Sequence, residues 1–166
     1  MQKLLFVFAL SILLGAALNG CGDAQPQQKH AEQRSGLTKV GAISWLTPQD
    51  DVRPEVWLIE HETTAGSKPS TGDAGEVHRS LVAASEKFHD TPRMIANRAV
   101  QLERMLKEEG GDETAIVLIS RLNGAVAPGR IESFGAAGQQ YYNMRKAGFT
   151  GEQAIDALSK RYGSPS

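Results

Sequence analysis

Apolar residues recur along the chain at two different spacings, and the change of spacing predicts two kinds of structure. Between Lys39 and Glu62 they form two short runs, KVGAISWL with Val40, Ala42, Ile43, Trp45 and Leu46, and EVWLIEHE with Val56, Trp57, Leu58 and Ile59. The Pro- and Asp-rich stretch TPQDDVRP lies between them, so the pair predicts a β-hairpin with a long loop. The Gly, Ser, Pro and Thr residues from Thr63 to Gly75 predict a further loop. From there the spacing is helical. Val77, Leu81, Ala84 and Phe88 mark one helix, and Ile95, Ala99, Leu102 and Leu106, with Met94 and Met105, mark a second. Thr91 as N-cap, Pro92 at the first helical position and Gly110 beyond the end punctuate that second helix.

The run at 113–122 fits either a buried strand or a short helix. Ala115, Leu118, Ile119 and Leu122 favour the helix. Ile131, Phe134, Gly138, Tyr141 and Tyr142 share one side of the next segment, where Gly135 and Gly138 predict close approach of a neighbouring element. Thr150 caps a final helix whose inward stripe is Ala154, Ile155, Leu158 and Tyr162. The expected fold class is α+β, mainly α: a small N-terminal β-hairpin followed by about five helices. The stretch AGFTGEQAIDAL resembles the first-helix entry of ubiquitin-associated domains over twelve residues, and we read it as capping chemistry shared by unrelated helices.

The opening of the chain concerns location. Lys3, then an apolar stretch from Leu4 to Leu18 broken by Ser11 and Gly15, then small residues, is the layout of an export signal. Leu18-Asn19-Gly20-Cys21 ends that stretch and resembles the lipobox of bacterial lipoproteins. The resemblance implies cleavage before Cys21 and lipidation of its sulfur. Gly22 after the cysteine implies the periplasmic face of the outer membrane, with the inner membrane as the alternative. Residues 1–20 are then a signal peptide, 21–39 the lipidated cysteine and a polar tether, 40–163 a single domain and 164–166 a tail. An ordinary signal peptide and an uncleaved anchor are the competing readings.

Composition narrows the partners. Lys and Arg total 18 against 19 Asp and Glu, with both signs interspersed, which argues against nucleic acid. Cys21 is the one cysteine, so its acylation would leave no thiol for disulfides, metal or catalysis. No metal or cofactor is expected. The partners expected are membrane lipid, through acylated Cys21, and another envelope protein.

Candidate chemistry is sparse, with no zinc-protease, phosphate-loop or nucleophile-elbow motif. His61 could act as a general base oriented by Glu60 or Glu62, although in a strand the two acids and the histidine would point to opposite faces. His78 and His89 share a helix face but stand roughly 16 Å apart along it, too far to share a metal. Arg98 falls near the centre of the apolar stripe of its helix and there needs a partner, for which Glu60, Glu62 and Asp90 are candidates; an anion site is the other reading. Phe134 and Tyr141 suit a core, and Tyr142, nearer the rim, suits partner binding. These features point to a lipid-anchored envelope protein acting as an interaction or assembly module. An envelope hydrolase acting on cell-wall material and a periplasmic small-ligand binder are the alternatives.

Overall fold

The computed structural model describes residues 43–66 and 70–164. Six helices follow one another among them: α1 (Pro54–Thr64), α2 (Ala74–Phe88), α3 (Pro92–Glu108), α4 (Ala115–Ala125), α5 (Phe134–Lys146) and α6 (Gly151–Tyr162). No strand occurs among the described residues, and the domain there is mainly helical.

Each helix starts where local chemistry lets it. Asp73 accepts a hydrogen bond from Gly75 N–H at α2, Thr91 from Met94 N–H at α3 and Ser133 from Ala136 N–H at α5. Thr150 and Gln153 form a reciprocal capping box at α6. Pro54 and Pro92 occupy first-turn positions, where a missing N–H costs nothing. The helix expected at 113–122 is present as α4, and Gly138 does admit a neighbour: a Cβ there would stand 3.2 Å from Leu102 Cδ2.

The second strand of the expected hairpin is corrected. Glu55–Glu62 lies within α1. Its inward residues are Glu55, Trp57, Leu58 and Glu62, so two carboxylates occupy positions where apolar residues would have shown a helical period. The first strand, Lys39–Leu46, falls partly outside the described residues, and Ile43–Leu46 is irregular backbone.

The central helices α3 and α4 organise the packing. Helix α3 touches α1, α2, α4 and α5, and α4 touches each of the other five. Trp57, Leu58, Leu81, Phe88, Ile95, Leu118, Leu122, Phe134, Tyr141 and Leu158 form the centre of the core, each 1% exposed or less. Phe88 and Phe134 meet edge to face with centroids 5.5 Å apart. Among the described residues no helix is long and apolar enough to cross a membrane.

Candidate functional site

Helices α3 and α5 leave a groove of about 320 Å³ between them. Met94, Arg98, Gln101, Leu102 and Met105 line it from α3, residues that fall on one face at 3.6 per turn. Gly135, Gly138 and Gln139 line it from α5, while Asp90 and Phe134 help to close one end. The two glycines open this space because a side chain at Gly138 would meet Leu102, and one at Gly135 would rest 3.6 Å from Arg98 Nε.

Arg98 is therefore not the buried charge its place in the stripe suggested. It is exposed, and its Nη1 donates to Gln101 Oε1 at 2.9 Å. The core stripe of α3 runs through Ile95, Ala99, Leu102 and Leu106, and Arg98 stands on its shoulder with Met94, which is 39% exposed. Asp90 does not pair with it. That carboxylate accepts the backbone N–H of Phe134 at 2.8 Å and so assists the cap of α5. The groove thus carries a thioether and aliphatic wall, one guanidinium, two carboxamides and, at one end, the Asp90 carboxylate.

The expected grouping of His61 with Glu60 or Glu62 is replaced by another. Glu60 is exposed on α1. Glu62 is wholly buried, accepting Ser70 N–H at 2.9 Å, Ser70 Oγ–H at 3.1 Å and Ile116 N–H at 3.1 Å. Ile116 belongs to the first turn of α4, whose N-cap Thr114 makes no side-chain cap, so Glu62 supplies the acceptor from another helix. His61 instead meets Glu103 of α3, with Nε2 3.1 Å from Oε2, and its ring lies 5.8 Å from that of Trp57. Period-based reading missed Glu103 because it stands 42 positions away on another helix.

Tyr141 is buried and Tyr142 half-buried at the rim, as their neighbouring positions on a helix require. Tyr142 Oη donates to Glu109 Oε1 at 3.1 Å, and Lys146 Nζ lies 5.8 Å from its ring. His78 Nδ1 stands 3.7 Å from the buried Glu55, and His89 closes α2 in the left-handed region at φ 55°.

A second polar cluster was not anticipated. Glu113 Oε1 accepts from Tyr141 Oη at 2.6 Å and from Arg145 Nη1, with Arg121 Nη1 at 3.9 Å. Burial, reinforced by the hydrogen bond to the Glu113 carboxylate, raises the Tyr141 hydroxyl above its ordinary pKa. Burial alone would lower the Arg145 guanidinium, but Tyr141 and Glu113 outweigh it and hold Arg145 above its usual value. A Cβ at Gly151 would come within 2.9 Å of both Arg121 Nη1 and Glu113 Oε1, so the start of α6 closes over the cluster. This arrangement ties the α3–α4 connection to α5 and α6. Among the described residues no three His, Cys, Asp or Glu side chains converge as a metal site would need.

A family model named MoxZ matches residues 55–163, from the second residue of α1 to the C-cap of α6. The chain belongs to the MoxZ family. Neither the curated proteins nor the solved structures contain a match to it. The matched MoxZ span includes the α3–α5 groove, the His61–Glu103 pair and the Glu113 cluster, and begins after the irregular stretch that precedes α1.

Proposed function

We propose that this MoxZ protein is a lipid-anchored bacterial envelope protein whose helical domain is a protein-interaction module, held through acylated Cys21 at the periplasmic face of the outer membrane. The anchor rests on the lipobox-like residues Leu18-Asn19-Gly20-Cys21 and the apolar stretch before them. The interaction role rests on one observation above all, the α3–α5 groove. Its exposed Met94, with Leu102 and Met105, offers a soft apolar surface that adapts to a partner side chain, and Arg98 offers a planar fork of donors beside it. Meanwhile Glu62, Asp90 and Glu113 are engaged in capping and tying helices, which is work inside the fold.

A photo-crosslinking residue at position 94 tests this in cells. The expected result is a discrete adduct with one envelope protein that is lost on Arg98→Glu and absent when the crosslinker sits at exposed Ser159 on α6. No adduct at position 94, at native expression, removes the groove as the interaction site.

The His61–Glu103 contact at 3.1 Å supports a second reading, an envelope hydrolase with His61 as its base. Turnover of cell-wall material that falls by a hundredfold or more on His61→Ala, with the fold intact, would favour it over the interaction module.

A further inference from the structure

The chain reaches α1 through Ile43–Arg53, and the start of this stretch is held in the manner of a bound peptide. Trp57 Nε1–H on α1 donates to Ile43 O at 2.7 Å. On α3, the Asn97 carboxamide accepts Leu46 N–H and donates to Leu46 O, both at 2.8 Å. The Leu46 side chain is 2% exposed within the core, whereas Ser44 and Trp45 face solvent. Three hydrogen bonds thus engage backbone atoms, and one aliphatic side chain is buried.

Recognition built on main-chain hydrogen bonds and a pocket for one side chain works between molecules as readily as within one. We propose that the cleft between α1 and α3 is a peptide-binding site, filled here by the chain's own Ile43–Leu46, and that its partner in trans is the same segment of a second copy. Two considerations favour that occupant. This sequence is the peptide shown to fit. A reciprocal exchange makes every contact twice and needs no new surface, as a two-fold dimer requires. The loop Thr47–Arg53 joins the segment to α1, and exchange has to release its hold on α3, where Arg93 Nη2 donates to Asp50 O at 3.2 Å, and the packing of Val52 on the core.

A segment tethered beside its own cleft has an effective concentration in the millimolar range, so exchange requires copies crowded together. The MoxZ match contains Trp57 and Asn97 and excludes Ile43–Leu46, so the receptor lies within the family region and the ligand outside it. The proposal is separate from the α3–α5 groove and stands or falls without it.

Two variants of the full chain, each damaged on one side of the contact, test the exchange. Leu46→Asp expels the segment and leaves the cleft intact; Asn97→Ala damages the cleft and leaves the segment intact. Mixed, they are expected to form a one-to-one complex by native mass spectrometry, while each alone stays largely monomeric. Placing Asn97→Ala in both chains should weaken that complex roughly tenfold to a hundredfold, the equivalent of two hydrogen bonds. If Leu46→Asp loses helical content, Leu46→Ala takes its place, since it vacates the pocket without adding a charge. A mixture of folded variants that remains monomeric, or a complex indifferent to Asn97→Ala, would overturn the proposal.

Discussion

Glu62 is a carboxylate with no solvent exposure, and two backbone N–H groups and a hydroxyl satisfy it. These donors fill its acceptor positions, and the N-terminal dipole of α4 favours an acidic side chain there. Glu62→Gln would turn an NH₂ donor towards groups that are themselves donors. It is expected to lower stability by about 1–3 kcal/mol, read by denaturant unfolding, whereas Glu60→Gln at the exposed neighbour should stay within about 0.5 kcal/mol. Tyr141 gives a pH signature. Because its folded pKa is raised, its contribution is fully present below the unfolded value of about 10 and is lost as pH climbs through the folded value. Stability is expected to fall more steeply above about pH 10 in the parent than in Tyr141→Phe, a difference that unfolding curves at graded pH would measure.

Between elements, the spacing of α3 and α5 depends on which glycine faces which residue. A Cβ at Gly135 would make ordinary contact with Arg98, so Gly135→Ala is expected to raise stability by up to about 1 kcal/mol through helix propensity. Larger atoms at Gly138 meet Leu102, and Gly138→Val is expected to cost about 1–3 kcal/mol and to narrow the groove, both visible in thermal unfolding and partner crosslinking. Helices α2, α3 and α6 were legible because apolar residues fill their inward stripes, and Thr91 and Thr150 mark where α3 and α6 begin. Helix α1 was not, because Glu55 and Glu62 stand in its inward face, where apolar residues would have shown the helical period.

For the whole molecule, the proposed anchor and the helical domain are separable. Cys21→Ser is expected to abolish acylation and leave the precursor unprocessed or the protein released, with the helical content of the domain unchanged. Mass spectrometry of the N-terminal peptide, with membrane fractionation, checks this; a normally processed, fully membrane-bound variant would contradict the lipobox reading. The chain carries a near balance of charge, so partner choice falls to local surfaces such as the groove and its guanidinium, and not to a long-range field.

Periodicity and capping residues by themselves determined that the domain is dominated by helix, where α3 and α6 begin and that Tyr141 lies deeper than Tyr142, and they favoured helix over strand at 113–122. These are properties of near neighbours along the chain. Tertiary structure alone decided the pairing of Glu62 with the start of α4, of His61 with Glu103, of Asn97 with the Leu46 backbone and of Glu113 with Tyr141 and Arg145. Those partners lie 28 to 54 residues apart. A buried polar side chain is tolerable only beside its partner, and that partner has no place in a local pattern until the helices have packed.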